Sequence, residues 1–325
     1  MYKRQGFCLA DKEIDGLYNR VIGIDGQLKF ENKYFLSFQA LASKTKYEDK
    51  QTGIAPALFA RFMYYTRHWV AGFGWKSIHP DFEASSGFVN RVDYRKMSAF
   101  TSFRLFPQKK YLNALYLNFN IGKMDAYFED ILTDRWGEIN LHFEFTEWSR
   151  LNIEYTNYME RYGGIDFNKN SFTLNGEANL IGWLPFGFFF RTGDSIYYDP
   201  DDPFLGYSNT YGIFLNFKPS KRLQMAVDFS KNTFWERKGG ERLWDYNVVR
   251  QKTTYQISKT LSLRAIIDYN HYYKEVYGSF LISYILRPGT VFFLGLDTNL
   301  LKNEEGKYIR DNYSIFLKFS YWWRI

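Results

Sequence analysis

Seven ionisable residues, Glu154, Glu177, Asp228, Arg250, Arg264, Asp268 and Lys318, stand on the faces opposite apolar rows. Side chains that alternate with apolar neighbours describe a strand with one polar and one apolar face. Charges of mixed sign on such faces can pair across strands and stiffen a sheet, the favoured reading, or set ion selectivity where they line a passage. Both tasks are electrostatic. Asp81 and Asp93 could share a cation, but two carboxylates this far apart in sequence, without further oxygen ligands in a recognised pattern, are a weak basis for one. Of the four histidines, His68, His79, His142 and His271, only His142 lies on a polar face, with Asn140 and Glu144. It could assist a serine nucleophile, although a hydrogen-bonded interior histidine explains it more simply. There is no HExxH, GxSxG, phosphate-binding loop or paired-cysteine motif. The sequence therefore predicts no catalytic, cofactor-binding or metal residues and no enzyme, and the single cysteine, Cys8, excludes an internal disulfide.

The elements that carry these charges read as strands. In the final stretch, Asn312 to Ile325, the residues Tyr313, Ile315, Leu317, Phe319, Tyr321, Trp323 and Ile325 share one face. Elsewhere Leu223, Met225, Val227 and Phe229 oppose Gln224, Ala226, Asp228 and Ser230. Phe172, Leu174, Gly176, Ala178 and Leu180 oppose Thr173, Asn175, Glu177 and Asn179. The chain is 21% aromatic, yet its mean hydropathy is −0.41. No run of residues approaches the roughly 20 apolar positions of a spanning helix. Strands with lipid on one face and water on the other reconcile many rings with mild polarity.

Connections alternate between short and longer, as in an up-and-down transmembrane β-barrel with short turns on one side and loops on the other. Tryptophans divide the same way. Trp69, Trp148, Trp183, Trp322 and Trp323 fall beside short connections, and Trp75, Trp136, Trp235 and Trp244 beside long ones, which predicts two interface belts. A soluble sandwich or propeller would pull these rings toward strand centres. The count is about 17 visible strands over residues 18–325. Bacterial barrels have even numbers, so 18 or more are expected in the intact protein. Residues 1–17 carry no export signal. Their opening Met1-Tyr2-Lys3-Arg4-Gln5 matches the translation of a sequencing-adapter end, so they read as an adapter-like start joined to a truncated external segment.

The segment from Gly74 to Arg95 resembles a motif of an uncharacterised bacterial outer-membrane β-barrel family, a domain of unknown function that usually follows a family-9 carbohydrate-binding-like module. The matching positions are Ile78, Pro80, Asp81, Phe82, Gly87, Phe88, Asp93, Tyr94 and Arg95. Val21 to Asp25 and Phe316 to Tyr321 are similar as well. The resemblance implies a carboxyl-terminal barrel and no established activity. Within it, Asp81, Phe82, Phe88 and Asp93 mark an external loop that folds back on itself.

The expected protein is an outer-membrane pore or uptake channel linked to glycan handling, with its carboxyl terminus in the periplasm. The alternative is a plugged barrel that anchors or helps assemble a periplasmic carbohydrate-binding-like domain. Phe214, Leu281, Ile285 and Phe316, bulky residues on otherwise polar faces, favour plugging. Expected partners are outer-membrane lipid, the barrel-assembly machinery and a small solute or glycan. The formal charge of +7 is dispersed without a basic run, which argues against nucleic acid.

Overall fold

The computed structural model describes residues 2–146, 148–179 and 181–322. The expectations at Leu180, Trp323 and Ile325 lie outside this set. Eighteen strands belong to one sheet: β1 (Tyr2–Ile14), β2 (Leu17–Phe30), β3 (Tyr34–Lys46), β4 (Ala55–Tyr65), β5 (Trp69–Ile78), β6 (Tyr94–Leu105), β7 (Leu112–Asp125), β8 (Leu132–Phe145), β9 (Arg150–Tyr162), β10 (Ile165–Ala178), β11 (Phe186–Tyr197), β12 (Phe204–Phe217), β13 (Leu223–Trp235), β14 (Arg242–Gln256), β15 (Leu261–Asn270), β16 (Glu275–Arg287), β17 (Thr290–Lys302) and β18 (Tyr308–Ser320). No helix occurs among the described residues. The fold is an antiparallel up-and-down transmembrane β-barrel. A strand of 13 residues such as β3 extends about 43 Å at about 3.3 Å per residue. Tilted by about 40°, it rises about 33 Å, enough to cross an apolar band about 25 Å tall.

Two compact units make up the chain. The first comprises Met1–Phe143, Glu154–Ser171 and Tyr198–Pro203, and the second Glu144–Ile153, Phe172–Tyr197 and Phe204–Ile325. In the first, consecutive strands from β1 to β7 pair antiparallel. Register places Ile24, Phe38, Phe62, Phe73 and Ile121 on one face, all exposed. The opposite face carries the row Gly23↔Leu41↔Ala57↔Ile78↔Tyr94. In the second unit β11 to β18 pair in the same manner. There Leu263, Ile282, Leu294 and Leu317 fall in register as a continuous exposed row. Only 14 apolar residues are buried among those described, far too few to hold 325 residues together as a water-soluble core. Exposed apolar rows of this kind are what the outer surface of a transmembrane barrel presents.

Two differences from the sequence reading stand out. Residues 2–14, expected to lie outside the barrel, form β1, which pairs with β2 from Tyr2↔Lys29 to Ile14↔Leu17. The reason is the turn. Asp15 and Gly16 both have positive φ, 53° and 77°, as a type I′ hairpin requires, and Asp-Gly is among the strongest signals for it. The described strands are consequently 18 rather than about 17. β9 and β10 are joined by a tight hairpin turning at Gly163 and Gly164, both at positive φ. β18 pairs with β17 along its length, and every one of its residues is exposed on both faces, as in a strand flanked on one side. Both edges of β2 are filled, by β1 on one side and β3 on the other.

Candidate functional site

Residues 79–93, between β5 and β6, form the longest connection, and they turn inward onto the polar face of the first unit. Two backbone turns bend the segment: Phe82 N–H donates to His79 O at 3.0 Å and Gly87 N–H to Ala84 O at 2.9 Å. Phe82 is only 5% exposed, packed in a cluster with Val21, Ala55, Ala57, Ile78, Tyr94 and Met124. Five of these belong to the strands that flank the loop or lie next to them, so the apolar patch exists to receive the ring. Its cost elsewhere is small because the neighbouring buried groups are polar and satisfied. Asn19 Nδ2 donates to Thr45 Oγ1 at 2.8 Å and to Glu83 O at 3.1 Å, while Asn19 Oδ1 accepts Ser85 N–H at 2.8 Å. Ser43 Oγ accepts Glu83 N–H at 3.1 Å. Both backbone polar groups of Glu83 are thereby bound to the sheet.

The side chain of Glu83 is held too. Ser85 Oγ donates to its Oε1 at 2.7 Å and Tyr47 Oη to its Oε2. That hydrogen bond, then burial, then the charge of Glu83 push the Tyr47 phenol up to about 12. A folded-state pKa raised above the ordinary value of about 10 means that this anchor is intact below about pH 10 and is lost as pH rises through about 12. Cleavage of residues 79–93 by added protease should therefore stay slow up to about pH 10 and speed up above it, and Tyr47→Phe should show the faster cleavage already at neutral pH. Cleavage of Tyr47→Phe at the wild-type rate at pH 7 would remove Tyr47 from the anchor.

On the far side of the loop, Arg91 Nη1 meets Asp134 Oδ2 at 3.2 Å, and Tyr158 donates to the other carboxylate oxygen. Asp134 is buried, so its charge requires these partners. His79 packs against Tyr127 and Phe128, with ring centroids 5.0 and 5.2 Å away. Asp93 Oδ1 accepts Tyr127 N–H at 3.3 Å. Between loop and strands lies a cavity of about 480 Å³ whose wall includes Phe59, Lys76, Phe88, Asn90, Arg91 and Lys96. It is the size of an ordinary small-molecule site.

The chain matches no protein-family model and no curated protein. Among solved structures it is similar to the ferric enterobactin receptor PfeA of Pseudomonas aeruginosa, at 9% identity and a TM-score of 0.53, over 93% of this chain and 61% of that one. The fold is that of an outer-membrane β-barrel. A complex of the same receptor with BCV-L6 gives a TM-score of 0.52 at 9% identity, covering 93% of this chain and 62% of the other. This chain thus spans about three-fifths of the receptor's length. OccK8 (OprE) of Pseudomonas aeruginosa overlaps more weakly, at a TM-score of 0.43 and 9% identity over 98% and 96% of the two chains.

Within this outer-membrane β-barrel the residues singled out by sequence are distributed unevenly. Of the four loop candidates, Phe82 is the anchor and Phe88, 88% exposed, lines the cavity. Asp81 lies 3.7 Å from Lys50 and Asp93 caps the neighbouring loop, so each carboxylate has its own partner and task. His142, on the inner face, packs against Tyr116 at 5.3 Å. In the second unit Glu177 pairs with Arg150 at 2.6 Å, and Arg250 with Asp268 at 3.5 Å, as cross-strand ladders. Asp228 stands opposite Arg250, Arg264 opposite Leu281, and Lys318 opposite Phe293, all on the inner face. Glu154 lies on β9 in the first unit. Phe214, Leu281, Ile285 and Phe316 also fall on the inner parity.

The tryptophans need correction. Trp69 and Trp75 share the outer row of β5, and Trp235 stands on the outer row of β13. Trp148, Trp183 and Trp322 are exposed in connecting or terminal segments. Trp136 and Trp244 do not join a belt. Trp136 lies beneath Lys96, where a Cβ on Gly122 would overlap its indole, and Trp244 stacks on buried Phe234 at 4.1 Å. Both have the parity of inner-face residues, and that decides their direction over their closeness to a strand end. Sequence reasoning missed Asn19, Ser43, Glu83, Lys76 and Lys96. A signal was present for the lysines, which interrupt the strands on either side of the loop at inner parity.

Proposed function

We propose that this chain is an outer-membrane pore or uptake channel whose passage is narrowed by residues 79–93. The observation that carries the reading is the inward loop itself. A connection pinned by a buried ring and by bonds to Asn19 and Ser43 has a fixed position, and a fixed obstruction over a cationic wall is what a selective passage needs. The carboxyl terminus is assigned to the periplasmic side with the shorter connections, and the work is permeation rather than catalysis. Membrane insertion would use the barrel-assembly machinery, and the lipid would contact the exposed apolar rows. The likeness of Gly74 to Arg95 to barrels that follow carbohydrate-binding-like modules supports a glycan-related solute. Charges dispersed over both units favour no nucleic-acid partner.

A second reading has its own observation. Phe214, Leu281, Ile285 and Phe316 bring bulk to the inner face of the second unit, as filling would require in a barrel that anchors a periplasmic partner. Planar-bilayer recording separates the two: discrete steps in conductance are expected for the refolded protein. Silence at every salt concentration and voltage would overturn the channel and leave the anchor.

A further inference from the structure

We propose that the cavity beneath residues 79–93 binds a small organic anion, its carboxylate held by Lys76 and Lys96 and its ring body resting on Phe59, Phe88 and Tyr94. The inference rests on the channel reading above and names the solute class. Its first support is an electrostatic cost. Lys76 and Lys96 are direct cross-strand neighbours in the β5–β6 ladder, and like charges in that position destabilise a sheet. Neither ammonium forms an ion pair among the described residues. Each sits over a ring instead, Lys76 Nζ 5.6 Å from the Tyr94 centroid and Lys96 Nζ 4.6 Å from that of Trp136. A ring face steadies a cation, but it leaves the ammonium N–H donors for a ligand.

Nearby carboxylates do not relieve the pair. In the same layer of the sheet the order is Asp25↔Gln39↔Phe59↔Lys76↔Lys96↔Met124, which sets Asp25 three strands from Lys76. At about 4.8 Å per strand this is about 14 Å, beyond the screening length of about 8 Å at physiological salt. Asp134 is already engaged by Arg91 and Tyr158. No carboxylate is among the residues lining the cavity, whereas Lys76, Arg91 and Lys96 all are. One layer further along the wall, Arg61 continues the positive track at inner parity, 6.0 Å from the Phe100 ring.

The second support is shape. The same wall presents Phe59, Tyr94 and the exposed ring of Phe88 beside the lysines, so charge and apolar surface are offered together. Simple anions use only the first. Benzoate, acetate and benzyl alcohol separate the two contributions in a titration of the refolded protein in detergent, which does not depend on conduction. Benzoate should bind at least about tenfold more tightly than either of the others. Lys76→Gln with Lys96→Gln should weaken benzoate by about tenfold to a hundredfold, the range for hydrogen bonds to charged groups. Phe88→Ala, at an exposed position, should narrow the preference for benzoate over acetate without disturbing the fold. Equal affinity for benzoate and acetate, or a lysine double variant that binds as wild type, would overturn the proposal. A protein that binds benzoate in this lysine-dependent manner yet never conducts would defeat the channel and leave the site standing. One that conducts with unaltered ion selectivity in the double variant and no benzoate binding would do the reverse.

Discussion

Phe82→Ala should release residues 79–93 from the inner face and, on the proposed channel reading, produce larger, noisier single-channel currents than wild type. Truncating a buried phenylalanine costs about 3–5 kcal/mol, and this ring is the apolar anchor of the loop. What would remain are the bonds of Asn19 to Glu83 O and Ser85 N–H, of Ser43 to Glu83 N–H and of Tyr47 to the Glu83 carboxylate. At about 1 kcal/mol net for each bond, the residual anchor is of the same size as the loss. The loop should then exchange between bound and released states on the recording timescale. Ile54→Ala is the control, because Ile54 is 75% exposed and does not line the cavity. Currents in Phe82→Ala that match wild type, with the loop equally resistant to added protease, would show that the ring does not fix the obstruction.

Leu296→Arg should impair folding into bilayers by about 2–4 kcal/mol, the cost of a cation at mid-depth on a lipid face. Leu296 is at the centre of β17, opposite Phe280 and Ile315, on the exposed apolar row of the second unit. Ser279→Arg on the adjoining strand tests the other face. Ser279 stands opposite Asp297 at inner parity, so the new charge meets water and a carboxylate, and the change should stay within about 1 kcal/mol. Heat-modifiable migration on gels, followed through a urea titration in lipid vesicles, reads both. If the serine variant suffers more than the leucine variant, the two faces have been assigned the wrong way round.

How far the sequence revealed this arrangement depended on whether a feature was periodic. Strand faces follow from a period of two, so Leu223 to Phe229 and the final row from Tyr313 to Phe319 were legible, as was the parity that sets Asp228, Arg250 and Lys318 on the opposite faces of their strands. Trp136 and Trp244 were misplaced because nearness to a strand end was weighed without parity. β1 went unrecognised although Asp15-Gly16 signalled its hairpin. The inward path of residues 79–93 was not legible at all. Pro80, Gly87 and two phenylalanines declare a folded loop, but the partners of that loop, Asn19 and Ser43, lie in strands far upstream. No local pattern ties them together. The same holds for Lys76 and Lys96, whose opposition depends on the register across the loop.

The bonds from Asn19 to Glu83 and Ser85 join residues 64 and 66 apart in sequence. They can form only after β2 to β6 have paired and curved, because Asn19 is at one end of that series and the loop at the other. Contacts of such separation are made late, once the chain between them is ordered. The loop therefore times assembly, whatever it does in the finished barrel. A half-assembled wall leaves the segment outside, with Phe82 in water, and the completed wall draws it in. In pulse-labelling hydrogen exchange during refolding, the Ser85 amide should gain protection after the amides of the β3–β4 ladder; protection in the opposite order would mean that the loop docks before its wall is built.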